Sequence, residues 1–186
     1  MRRVLEVCAA RGIEVGAHPS YVDREGFGRR SIAVAPELLE KQIHAQCASL
    51  ARIASELGVR VTFVKPHGAL YHDAARDPAL ATAVIDGAVR ALGSVAVLGP
   101  SWGTPELEAV AKAHGLAYWR EGFADRALRA DGSLVPRSET GALISDPALA
   151  AAQGTALAPR VDALCIHGDS PNALAIARAV RAAFPR

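Results

Sequence analysis

The chain has 186 residues, 51% of them apolar and 22% charged, which excludes a disordered polymer and supplies enough apolar side chain for one packed domain over 1–186. A net charge of +2, with no basic run beyond Arg29-Arg30, argues against nucleic acid or an anionic membrane as partner. No apolar stretch approaches the ~20 residues of a spanning helix, and the start Met1-Arg2-Arg3-Val4-Leu5-Glu6 lacks the continuous apolar segment of a secretory signal, so the cytoplasm is the expected compartment.

Along the chain, strand and helix patterns alternate. Residues 2–11 read as an amphipathic helix closed by Gly12, and 13–17 as a strand followed by a glycine- and charge-rich loop through Arg30. Pro36 suits a helix start, and Leu38, Leu39, Ile43, Cys47, Leu50, Ile53 and Leu57 recur at helical spacing to the stop at Gly58. Then come a strand over 59–64, a helix over 77–92, with His72 and Asp73 read as its caps, and a strand over 94–98. Pro105 opens a helix to about His114, 116–119 is a short strand, and 121–147 reads as one long irregular segment. A strand over 161–166 and a helix over 171–184 end the chain. Roughly five βα units with right-handed crossovers give an α/β fold on a parallel sheet, open or closed. A closed barrel usually needs about 250 residues, and this chain is short for one.

Three of the strands run into histidine-bearing polar clusters, where loops at the carboxyl ends of parallel strands build sites. His18 precedes Pro19-Ser20-Tyr21 and a loop whose Arg29 or Arg30 could clamp an anion; a solvated, salt-bridged turn is the plainer reading. Val64-Lys65-Pro66-His67-Gly68-Ala69-Leu70-Tyr71 puts an ammonium and an imidazole on one rim, with Gly68 leaving room for a ligand to approach the backbone. Arg120-Glu121-Gly122-Phe123-Ala124-Asp125-Arg126 brings carboxylates suited to acid–base work or to orienting an imidazole, though Asp125-Arg126 serves equally as a structural ion pair. In His167-Gly168-Asp169-Ser170-Pro171-Asn172 a strand ends in histidine and a helix begins, with Asp169 able to bond a ring. His18, His67 and His167, with Lys65, are expected to converge on one cavity. A His₃ metal site is conceivable but nothing in the spacing demands it, so a divalent metal stays open. No GxxxxGK[ST] loop or GxGxxG fingerprint is present. Cys8, Cys47 and Cys165 read as small buried hydrophobes.

Taken together, Gly16-Ala17-His18-Pro19-Ser20-Tyr21 with Gly26-Phe27-Gly28-Arg29-Arg30, the Lys65–Tyr71 stretch, Glu121–Arg126 with Asp131-Gly132-Ser133-Leu134-Val135-Pro136-Arg137, and His167–Asn172 resemble the LamB/YcsF family, in family order. Val22 and Ser170 are mild departures, standing where proline and threonine are usual. The larger departure is at the front: the family's opening strand motifs, Asn-x-Asp-x-Gly-Glu-like and Cys-Gly-x-His-x-Gly-Asp-like, are absent.

The resemblance implies a distorted, here incomplete, seven-stranded-type (β/α) barrel related to sugar hydrolases and deacetylases. It also implies the A-subunit role in ATP-dependent 5-oxoprolinase, opening the lactam of 5-oxoproline to glutamate together with subunits B and C. Homo-oligomerisation is a further possibility. On this reading His18, Lys65, His67, Asp125, His167 and Asp169 form the catalytic set. Tyr21, Arg29, Arg30, Tyr71, Glu121, Arg126 and Asn172 bind substrate, and ATP is the co-substrate. Two alternatives stand beside it: a metal-dependent hydrolase or deacetylase on a related barrel, and a non-catalytic remnant that docks on partner subunits.

Overall fold

The computed structural model describes residues 1–170 and 172–184. The chain is α/β, and its contacts group into two compact units, Met1–Gly99 with Thr104–Tyr118, and Pro100–Gly103 with Trp119–Arg186.

The first unit opens with α1 (Arg2–Arg11), stopped by Gly12 in the left-handed conformation, and continues into β1 (Val15–Ala17). Helix α2 (Pro36–Glu56) takes Pro36 at its first turn and buries Leu39, Ile43, Cys47 and Ala54. Strand β2 (Val61–Val64) is followed by a short helix α3 (Ala69–Ala74), then α4 (Pro78–Leu92), β3 (Ala96–Pro100) and α5 (Glu106–Ala113). Strand β1 pairs with β2 and β2 with β3, both parallel. Among the described residues β2 is the only strand paired with β1.

Helices α2 and α4 make this unit's main helix contact, and its closeness explains a glycine inside α4. A Cβ on Gly87 would meet the Glu40 carbonyl at 2.5 Å and Ile43 Cβ at 3.0 Å. Leu39, Ile43, Val84, Ile85 and Val97 fill the resulting core with no exposed surface. Burial also pushes the Cys47 thiol up to about 12, so it stays protonated and behaves as a small hydrophobe.

The second unit holds most of β4 (Tyr118–Phe123), α6 (Pro147–Leu157), a 3₁₀ turn (Ala158–Arg160), β5 (Ala163–Cys165) and α7 (Ala173–Ala182). Strands β4 and β5 pair in parallel, Glu121 opposite Ala163 and Phe123 opposite Cys165. Ala124, Ala150, Ile176 and Val180 form the core, with Leu164 and Ile166 packed on it.

Four expectations are corrected. The strand placed at 116–119 runs over Tyr118–Phe123, so Glu121 lies inside it rather than at its end. The segment 121–147 leads into a helix the pattern did not show, α6, capped by Asp146, whose carboxylate accepts from the Ala148 and Leu149 amides. His72 and Asp73 belong to α3 and cap nothing in α4; Asp77 does, accepting from Ala79 and Leu80. Gly68 does not leave space for a ligand, because a Cβ there would collide with the Gly28 carbonyl, and its φ of 63° with ψ of −129° suits glycine. Pro171, read as part of the last helix start, lies outside the described residues. Among the described residues no helix is long and apolar enough to cross a membrane.

Candidate functional site

In the first unit the ladder of β1 and β2 continues past both strands: the Lys65 amide donates to the Ala17 carbonyl at 2.9 Å and the His67 amide to Pro19 at 2.8 Å. Backbone pairing therefore sets His18 and His67 side by side. The rings meet edge to face with centroids 4.8 Å apart, and Nδ1 of His67 lies 3.0 Å from Nε2 of His18. The outer nitrogens face carbonyl oxygens, His18 Nδ1 at 2.8 Å from Lys65 and His67 Nε2 at 2.8 Å from Phe27. Gln46, on α2, clamps Ser20, two residues past His18, taking its amide (3.0 Å) and donating to its carbonyl (2.8 Å).

Lys65 Nζ stands over the Tyr71 ring, 5.9 Å from its centroid. Tyr21 is buried and its hydroxyl donates to Asp73 at 3.0 Å; burial first, then that carboxylate, push the phenol above its ordinary range, so it remains a donor. Arg29 stacks on the Phe27 ring at 5.1 Å. Arg30, expected as an anion clamp, is engaged by a carboxylate of its own loop: Nε donates to Asp23 at 3.0 Å and a second guanidinium nitrogen also meets Asp23. The Arg30 bond, helped by the Gly26 amide, holds the Asp23 carboxyl down at about 2 despite burial.

The second unit contributes a different histidine. Residue 167 follows β5 and Asp125 follows β4, so the parallel pairing of those strands brings them together. Asp125, 4% exposed, accepts the His167 amide at 2.7 Å and ring Nδ1 at 2.9 Å. Burial pushes the Asp125 carboxyl up, but the His167 ring and amide outweigh it and hold it below the usual range. Phe123 stacks on the ring, centroids 5.8 Å apart and planes 20° off parallel. The carboxylate oriented on this imidazole is thus Asp125, with Asp169 in the turn that follows.

Among the other expected residues of this unit, Arg126 and Asn172 bond to backbone carbonyls. Glu121 is buried in β4 at 2% exposure. Arg126, also buried, donates to the carbonyls of Ala142 (3.2 Å) and Val135 (2.6 Å), tying down the segment that follows β4. Asn172 sits at the start of α7 and its amide donates to the Ser145 carbonyl at 3.0 Å. Gln153, which sequence reading passed over, donates to the carbonyls of Phe123 (2.6 Å) and Arg126 (2.7 Å) and so fixes the turn carrying Asp125. Asp23 and Gln46 were likewise missed; the only signal for Asp23 was its place in a loop of alternating charge. Among the described residues no group of three or more His, Cys, Asp or Glu side chains is placed to hold a metal ion.

The sequence is 43% identical to the 5-oxoprolinase A subunit of Methylococcus capsulatus, over 97% of this chain and 74% of that protein. It is 42% identical to the protein of the same name from Bordetella pertussis, over 100% of this chain and 79% of that one. The solved structure of a lactam utilization protein from Thermus thermophilus superposes with a TM-score of 0.87 at 34% identity, covering 98% of this chain and 77% of that one. The model of the LamB/YcsF family matches residues 1–186, and the chain belongs to that family.

Proposed function

We propose that this chain acts as the A subunit of an ATP-dependent 5-oxoprolinase, opening the lactam of 5-oxoproline to glutamate with subunits B and C as partners. The names of the relatives support the substrate class. The observation that carries a catalytic role is the Asp125–His167 pair. A buried carboxylate accepts the Nδ1–H of His167, which fixes the tautomer and leaves Nε2 as the nitrogen able to accept and return a proton.

A lactam is resonance-stabilised like any amide, so water alone opens it slowly. ATP would transfer its terminal phosphoryl group to the lactam oxygen, releasing ADP and making the ring carbon electrophilic; water adds to that carbon, the ring C–N bond breaks as its nitrogen takes a proton, and the acyl phosphate that results is hydrolysed to glutamate and inorganic phosphate. The side chains suited to such an anion are cationic: the Lys65 ammonium and the Arg29 guanidinium. His167, oriented by Asp125, takes the proton of the attacking water, and the Lys65 ammonium is a cation of the kind that holds a carboxylate or phosphoryl group. Tyr71 positions the lysine from below.

The test measures glutamate release from 5-oxoproline and ATP by the purified chain, with and without subunits B and C, and with a chelator arm. The expected result is ATP-dependent turnover in the assembled complex that His167→Gln abolishes. Full turnover by that variant, correctly folded and assembled, overturns the reading. Chelator-sensitive hydrolysis without ATP would instead favour a metal-dependent hydrolase.

A further inference from the structure

All four ring nitrogens of the first unit's histidine pair face a partner. His18 Nδ1 and His67 Nε2 each meet a backbone carbonyl at 2.8 Å, and the remaining two nitrogens face one another at 3.0 Å. A carbonyl oxygen has no proton to give, so both outer nitrogens carry one. If both rings were neutral, the inner nitrogens would both be bare, and two lone pairs would oppose each other at hydrogen-bond distance. A third proton turns that repulsion into an N–H···N bond. We infer that His18 and His67 hold three protons between them, the inner one shared, so that the pair is a single cation rather than two neutral bases, and that Asp23 fixes this arrangement through the Phe27 carbonyl.

The second half rests on the loop. Phe27 is the only non-glycine among the described residues with positive φ (55°), a conformation that disfavours its side chain. The strain is not offset by burying the ring, which is 61% exposed. What the conformation achieves is to aim the Phe27 carbonyl at His67 Nε2. Asp23 holds that turn from inside: its carboxylate takes the Gly26 amide (2.9 Å) and Arg30, and its own carbonyl takes the Gly28 amide at 2.8 Å. Gly28 in turn accepts from the Ala69 amide at 2.9 Å, docking the loop on the start of α3. Asp23 is accordingly a positioning residue.

The consequence deepens the proposed function and depends on it only for its biological meaning. With every ring nitrogen engaged, neither His18 nor His67 can take a proton from a ligand without breaking a bond of the pair. The pair therefore contributes fixed positive charge. Lys65, two residues before His67, and Arg29, two residues after Phe27, are further cations of the same segments, and Asp23 and Arg30 pair with one another.

The test is nitrogen-15 NMR of the histidine rings in the full-length chain at neutral pH. The expected spectrum has two fully protonated nitrogens, Nδ1 of His18 and Nε2 of His67, and two inner nitrogens sharing one proton at intermediate shifts. A total of two protons, or of four, overturns the shared cation. In Asp23→Asn, His67 is expected to lose its fixed Nε2–H and exchange between tautomers. An unchanged His67 pattern in a folded variant overturns the role of Asp23 while leaving the pair intact. Should that variant fail to fold, His18→Gln decides the pair by itself: His67 is expected to become neutral, and an imidazolium that persists there shows that the charge was never shared. Lack of ATP-dependent ring opening in the complex would count against the functional reading and leave the proton count untouched.

Discussion

The two histidine clusters use the same side chain for opposite ends. In the first unit, backbone carbonyls occupy both outer nitrogens of His18 and His67, and the rings occupy each other. In the second, a carboxylate occupies only Nδ1 of His167. Carbonyls can only accept, so they force protons onto the rings they face; a carboxylate also accepts, but its charge stabilises the imidazolium that forms when the far nitrogen picks up a proton. On the proposed reading one arrangement stores charge and the other moves protons. What separates them is the partner set, which no motif containing a histidine can reveal.

The sharpest way to break that contrast is to remove the orienting carboxylate. Asp125→Asn still offers an oxygen to the His167 amide but no longer stabilises a cationic ring. Turnover of 5-oxoproline in the assembled complex is expected to fall about 10²–10⁴-fold, the range of general acid–base catalysis, with the circular dichroism spectrum unchanged. A loss below about 3-fold, well under that range, would mean that His167 does not move the proton. Lys65→Met probes the electrostatic side. It keeps the aliphatic stem over Tyr71 and deletes the charge, and a rate loss of about 10²–10³-fold is expected, comparable to the removal of one charge-stabilising donor. Packing gives the next effect down. Ile43→Ala hollows the α2–α4 contact of the first unit and is expected to destabilise it by about 2–5 kcal/mol in a urea titration.

Much of this frame was legible beforehand because parallel strands leave a strong mark. Short apolar runs soon followed by Gly or Pro located four of the five strands, β4 being placed too early at 116–119, and the helical spacing from Leu39 to Cys47 located α2. Helix α6 escaped for a physical reason: Ala148, Leu149, Ala150, Ala151, Ala152 and Leu157 distribute apolar surface around the whole helix, so there is no stripe to detect. Its start was nevertheless written in Asp146-Pro147, a cap followed by proline. The site divides the same way. Histidines after strand ends could be picked out, since the ladder fixes their neighbours. The partners could not, because Asp23, Gln46 and Gln153 act through backbone groups whose direction depends on the folded turn. Arg30 shows that gap: the sequence left an anion clamp and a salt-bridged turn both open, and in the fold Asp23, seven residues away, engages it.

Acid sharpens the comparison because each cluster contains a carboxylate whose pKa the fold depresses. A group lowered on folding adds stability above its unfolded pKa, and that contribution disappears as pH falls through the folded value. For Asp23 the window runs from the ordinary 3.8 down to about 2. Asp125 acts in the same direction, from the ordinary value downward. Denaturant midpoints measured between pH 5 and pH 2 are therefore expected to fall with acid in the wild type, and to fall less steeply in Asp23→Asn and in Asp125→Asn. A slope left unchanged by both substitutions would mean that neither carboxylate is tied as described.

The smallest expected effect asks whether the two units melt together. Each has one helix capped by an aspartate in the same manner, Asp77 on α4 and Asp146 on α6, accepting two amides each. Asp77→Ala and Asp146→Ala should each destabilise by about 1 kcal/mol, since the free amides return to water rather than being buried. Hydrogen exchange then separates two cases. If each unit opens independently, Asp77→Ala accelerates exchange in α4 and spares α6, and Asp146→Ala does the reverse, by about 5-fold for that free energy. If either substitution accelerates both helices equally, the chain opens as one cooperative body, and the two histidine clusters stand or fall on the same stability.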